Sequence, residues 1–193
     1  GVSSLMTGLG RWIMWATELH PVPMGIFVSV LMGMVLTLPI SSAALAIMLE
    51  LGGLAAGAAT VGCSTQMVGF AVASYRENGW GGLVSQGLGT SMLQVPNIVK
   101  NPRIWLPPTL ASAIIGPFAT TLFRMENIPM GAGMGTSGLV GQFGTVAAMG
   151  TSAAVFGKML LLHIAAPAVL TLVISEYMRK IGWIKAGDMK LPD

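Results

Sequence analysis

Charge is what this chain is most short of. Only 9% of its 193 residues are Asp, Glu, Lys or Arg, against about 25% in an ordinary soluble domain. A water-facing surface on a chain of this size needs more, so apolar residues must face something other than water. The charges are also unevenly spread. None falls between Glu18 and Glu50 or between Glu50 and Arg76, and the stretches 78–99, 104–123 and 127–157 are free of them too. A bilayer core takes about 20 apolar residues of helix, so several of these stretches are candidate spans. The reading is an integral membrane protein.

Other scarcities exclude further classes. One cysteine, Cys63, forbids an internal disulfide and gives no sign of an oxidising compartment. Two histidines, His20 and His163, with no Cys, Asp or Glu at ligand spacing, provide no metal site. A net charge of +3 spread along the chain gives no nucleic-acid footprint. Four basic residues, Arg179, Lys180, Lys185 and Lys190, follow the last apolar stretch, which places the C-terminus in the cytoplasm by the positive-inside rule. The chain opens at Gly1 without a Met, and no signal-peptide pattern follows.

What is abundant is glycine, with 26 residues. In "GAGMGTSGLVGQ", 131–142, Gly133, Gly135 and Gly138 fit the G-x-G-x-x-G spacing of a dinucleotide loop. That loop needs a strand before it, a helix after it and an acid about 20 residues on. "RMENIP" precedes, which is no strand, and no Asp or Glu occurs between Glu126 and Glu176. The only Gly-Lys, at 157–158, is followed by Met159, so there is no P-loop either. No nucleotide cofactor is expected. From 138 onward the glycines suit close helix packing. Over 129–137, where Pro and alternating Gly disfavour a regular helix, they favour a re-entrant loop whose backbone groups meet a solute.

Along the chain, residues 3–19 place Leu5, Leu9, Trp12 and Trp15 near one helical face, and "HPVP" at 20–23 ends that helix. Residues 1–23 are expected to lie along the headgroups as an interfacial segment. Residues 24–178 are expected to form the membrane domain, and 179–193 a basic tail. Within the domain, 24–49 reads as one span kinked at Pro39. A second, 53–75, is rich in Gly, Ala, Ser and Thr and belongs inside a bundle, with Gly53 and Gly57 forming a G-x-x-x-G step. "NGWGGLVSQGLGTSMLQVPN", 78–97, reads as a broken or re-entrant segment. Spans at 104–123 and 159–176, with a small-residue helix over 138–157, complete the expectation of an all-α, multi-span bundle with broken segments. Gly-Thr-Ser recurs at 89–91, 135–137 and 150–152, a pattern open to two readings, chance or an internal repeat.

The runs "GLAAGAATVGCSTQMVGFAVASYRENG", "GTSMLQVPNIVKNPRIWLPPTLAS" and "GAGMGTSGLVGQ" resemble a bacterial membrane family related to enzyme IIC, the sugar-permease subunit of the phosphotransferase system; proteins like the perfringolysin O regulator belong to the same family. The resemblance covers nearly all of 24–180. It implies a helical transport domain, homodimeric, multi-pass in a bacterial cell membrane, taking a sugar-like solute and working with a separate phosphocarrier, enzyme IIB. It also implies a chain extended at its N-terminus, so that this stretch is part of a longer domain. A membrane-embedded regulator that senses a solute without moving it is the alternative.

Sugar permeases of this type hold the sugar with a Glu on a re-entrant hairpin, commonly followed by Pro. Glu126-Asn127-Ile128-Pro129 is the nearest match, with the Pro displaced. A carboxylate at membrane depth is costly and usually functional; its task here is to accept hydroxyl hydrogens, and the competing reading places it at the membrane surface, paired with Arg124 or solvated. Glu126, Asn127, Gly133, Gly135, Thr136 and Ser137 are therefore the candidate solute-binding residues, together with Asn97 in the polar run "PNIVKNPR". Asn97, Lys100 and Asn101 of that run line a cavity, or Lys100 and Arg103 anchor at headgroups. Glu50 reads as a helix-terminal residue at the interface, His163 as a packed residue, and Cys63 as inert, having no cation near it in sequence. No catalytic residue is expected.

Overall fold

The computed structural model describes residues 1–191, and every regular element among them is helical. Its axis is α4, Gly53–Ala73, buried throughout except at Gly53 and Val72. Small side chains make that possible. A Cβ on Gly62 would run into the Ser29 carbonyl of α2, Pro21–Thr37, so the two backbones touch there only because the residue is glycine.

Three helices pack along α4. In α2, Ser29 lies against Gly62 and Thr37 bonds to Gln66, so the two helices run in parallel. In α7, Leu106–Thr120, Thr109 meets Gln66 while Ile115 packs with Val61, so this helix is antiparallel. The last helix runs without a break from Ala153 to Lys180. It consists of α10 (Ala153–Met159), a π-helical turn (Leu160–Ala165) and α11 (Ala166–Lys180). Thr171 meets Gly69 and Arg179 caps the Ala73 carbonyl. This helix and α4 are the two among the described residues that are long and apolar enough to cross a membrane.

The expected span 24–49 is instead two helices. α2 stops at Thr37, and the chain reverses through Leu38–Ser41 into α3, Ser42–Met48, with the Ser41 hydroxyl capping α3. The reversal follows from Pro39, which cannot donate the next helical hydrogen bond. α3 climbs back past Gly133, against Ser42, to Leu49, against Gly10 of α1, Val2–Leu19. α1 packs Gly10, Ile13 and Thr17 inward and leaves Leu5, Leu9, Trp12 and Trp15 exposed. The expected helix over 138–157 is also divided. α9, Val140–Met149, ends at Gly150 in a positive-φ conformation, and Ser152 caps α10.

Two hairpins fill the remaining space. The first starts beyond the C-terminal end of α4 with α5 (Tyr75–Val84). It continues through a π turn (Ser85–Gly89) and a 3-10 turn (Ser91–Gln94), and returns as α6 (Val95–Lys100). The second starts near the N-terminal end of α4, where Asn127 donates its backbone N–H to Gly53 and Met125 packs over Gly57. It advances through α8 (Pro129–Ala132) to Gly135, at the Cys63–Ser64 backbone, and Thr136, beside Met67. α9 then carries it back until Met149 accepts the Glu126 N–H. Both ends of the second hairpin thus lie at one end of α4 and its tip at the middle.

Candidate functional site

The tips of the two hairpins meet beside the middle of α4, where the Thr136 hydroxyl donates to the Gly87 carbonyl. Both tips are Gly-Thr-Ser triplets, 89–91 and 135–137, whereas the third triplet caps α10 far from them. Gly135 explains why the second tip has no regular helix. Its φ is +55°, and a Cβ would lie 2.7 Å from the Cys63 carbonyl carbon, so the turn needs glycine for conformation and for space.

A cavity of about 140 Å³ lies where these tips face the α2–α3 reversal. Ser41 and Ser42 line it from the reversal, Gly89 and Thr90 from the first tip, and Gly133 and Ser137 from the second; Leu36 and Met67 supply apolar wall. Three interruptions of helix converge on one hollow. Four of its lining residues, Ser41, Ser42, Thr90 and Ser137, carry hydroxyls.

A buried polar network fixes the cavity wall. Ser91 and Thr37 share a hydrogen bond of 2.8 Å, and Thr37 donates to Gln66 Oε1 at 3.1 Å. Trp105 Nε1 donates to the same oxygen at 3.0 Å, and Gln66 Nε2 donates to Thr109 Oγ1 at 3.1 Å. Gln66 therefore ties α4 to the first tip, to the reversal and to the start of α7. None of Gln66, Thr37, Ser41, Ser42 or Thr90 was expected as a site residue. A lone carboxamide in the charge-free run "GCSTQMVG" is the signal that marks Gln66, since such a group needs partners at that depth.

The expected site residues are not all brought together. Gly133 and Ser137 line the cavity, and Gly135 and Thr136 form the tip behind it. Asn127 is buried further up. Its Nδ2 donates to Thr60 Oγ1 at 2.6 Å, to the Gly141 carbonyl at 3.0 Å and to Thr145 Oγ1 at 3.3 Å, binding the two legs of the second hairpin to α4. Glu126 is exposed, with its carboxylate 4.0 Å from where a Gly53 Cβ would sit. From Gly53 to Met67 is fourteen residues of helix, about 21 Å at about 1.5 Å per residue. Arg124 is not its partner: Arg124 pairs with Glu18 at 3.5 Å, both side chains being more than half exposed (60% and 56%). Asn97 lies at the foot of the first hairpin, bonded to Gln94 and to the Lys190 carbonyl.

The remaining singled-out residues are structural in their contacts. Cys63 is buried, near the carbonyls of Met32 and Ala132. His163 sits in the π-helical turn, with Nδ1 2.9 Å from the Gln142 amide of α9. No group of three or more His, Cys, Asp or Glu among the described residues can hold a metal.

Residues 1–191 match the family model described as Phosphotransferase system, EIIC. No curated protein and no solved structure matches the chain.

Proposed function

The chain belongs to the phosphotransferase-system EIIC family, and on that premise we propose that the cavity between the hairpin tips holds the transported solute, a sugar. One observation carries this reading. Three broken segments from different parts of the chain, each with serine or threonine, converge on a single small cavity beside the largely buried α4. Sugar hydroxyls exchange hydrogen bonds with hydroxyls and backbone groups of this kind, and neutral donors and acceptors bind without the cost of burying a charge.

Both hairpins are re-entrant in this reading: each enters the bilayer from its own side and leaves on the same side. The Lys and Arg residues support an orientation. Arg76, Lys100, Arg103, Arg179, Lys180, Lys185 and Lys190, seven of the ten in the chain, gather toward the C-terminal end of α4 or in the segment after α11. The positive-inside rule makes that end cytoplasmic. The first hairpin then opens to the cytoplasm and the second to the outside, in the membrane of a bacterial cell. Glu126, Asn127, Gly133, Gly135, Thr136 and Ser137 belong to the outer hairpin. Glu126 meets the incoming sugar at its mouth, and Ser137 meets it at the tip. Asn97, at the foot of the inner hairpin, lies on the way out, where a cytoplasmic enzyme IIB would phosphorylate the sugar. Residues 1–23 form the interfacial segment of this domain, 24–178 its transport body, and two copies form the working dimer.

Uptake of radiolabelled sugars into cells carrying the chain, with and without the phosphocarrier proteins, tests the reading. Carrier-dependent uptake that falls with Ser137→Ala and Thr90→Val supports it. Sugar binding with no uptake under either condition would make the protein a sensor instead.

A further inference from the structure

The segment after α11 is not a free basic tail. Ile184 and Met189 are buried in an apolar cluster with Phe70 and Ala73 of α4 and Ile98 of the first hairpin. At Met189 and just beyond it the backbone is gripped by three carboxamides of that hairpin, and a fourth, Asn101, holds the Asp188 carboxylate. Gln94 Nε2 and Asn78 Nδ2 each donate to the Met189 carbonyl at 2.9 Å. Asn97 Nδ2 donates to the Lys190 carbonyl at 2.8 Å, and the Leu191 N–H returns a bond to Asn78 Oδ1 at 2.8 Å. Asn101 holds Asp188 at 2.8 Å.

This grip continues inward. Gln94 donates to Gln86 Oε1 at 2.7 Å, and Gln86 donates to Ser74 Oγ, at the end of α4, at 2.9 Å. A ladder of buried amides thus joins both legs of the hairpin to α4 at one end and to residues 189–190 at the other. Buried amides are costly when left unpaired, so the legs stay closed only while the segment supplies its carbonyls. We infer that residues 184–191 are a strap that locks the first hairpin against α4, and that its release lets this hairpin move and opens the cavity toward the hairpin's own side.

The opening of the cavity as a solute passage rests on the function proposed above; the locking does not. The test uses a reporter cysteine, Ser91→Cys, in a Cys63→Ala background, because Ser91 is buried at the tip and bonded to Thr37. Detergent-purified protein is treated with a hydrophilic maleimide. Two changes weaken the strap: removal of residues 188–193, which takes away the bonded carbonyls, and Asn78→Ala, which cuts two bonds to the segment and leaves those from Gln94 and Asn97 in place. Truncation should speed labelling about tenfold or more, and Asn78→Ala about threefold. If the truncated chain aggregates, Asn78→Ala decides. Labelling unchanged in Asn78→Ala protein that runs as a single species by gel filtration would overturn the strap. Faster labelling with unchanged sugar affinity and uptake would keep the strap and remove the cavity as the solute's passage.

Discussion

The two hairpins reach the same point of α4 but are held there by different means. The first is fastened by polar side chains. Its start is pinned by the Glu77–Arg179 ion pair at 2.7 Å, with the side chains 7% and 13% exposed, and its legs by the Gln86–Gln94–Asn97 ladder. The second is fastened more by closeness: Gly135 lies on the Cys63 backbone and the Met125 carbonyl on Gly57 of α4, with two amides, Asn127 and Gln142, beside these contacts. Amide and ionic fastenings can be exchanged for water or another partner, so they suit a part that detaches. Backbone packed on backbone has no such alternative, so the second hairpin moves with α4 if it moves at all.

The largest effect expected from breaking this contrast is at Arg179. Arg179→Gln leaves the Glu77 carboxylate buried without its cation, and removing one partner of a buried pair costs about 3–5 kcal/mol. Thermal unfolding in detergent should show a large drop, with the first hairpin becoming susceptible to protease and the second staying resistant. Gly135→Ala attacks the other fastening. The added methyl must displace the Cys63 backbone at a positive-φ position, a loss of about 1–3 kcal/mol, and here the second hairpin should be the one that is cut.

Smaller changes sharpen the comparison at the site. If the cavity holds the sugar as proposed, Ser137→Ala removes one neutral hydrogen bond, about 1 kcal/mol, and affinity by titration calorimetry should fall roughly fivefold. Glu126→Gln, about 21 Å from the tip along α4, should slow association while leaving that equilibrium affinity nearly unchanged. The smallest effect belongs to Arg124→Ala. Its pair with Glu18 is exposed, and such pairs contribute about 0–1 kcal/mol, so the melting temperature should shift little and less still at high salt.

Much of this arrangement is legible from the residues alone, and the limits have physical causes. The charge-free stretches betray the membrane because charge is what water-facing surface requires. The breaks at 78–97 and 129–137 show because Gly and Pro act locally on the backbone. The reversal at Pro39 does not show, because a proline kinks some helices and ends others, and the choice depends on whether Ser42 finds Gly133 ninety-one residues away. The meeting of Thr136 with Gly87 is hidden for the same reason. The strap is masked by its own composition: four basic residues make the end of the chain look solvated, while Ile184 and Met189 between them are the ones that pack. Glu126 stands out by the rarity of carboxylates, yet rarity says nothing about position, and the structure exposes it near the N-terminal end of α4.

In the proposed function each hairpin leaves the membrane on the side it entered, and single-cysteine accessibility measures that directly. In a Cys63→Ala background, cysteines replace Glu126 and Gly150, which bracket the second hairpin, and Arg76 and Lys100, which bracket the first. An impermeant maleimide is applied to intact cells and to inside-out vesicles. Positions 126 and 150 should react only in intact cells, and positions 76 and 100 only in inside-out vesicles. If 126 and 150 react from opposite sides, or 76 and 100 do, that hairpin crosses the membrane and the account is contradicted.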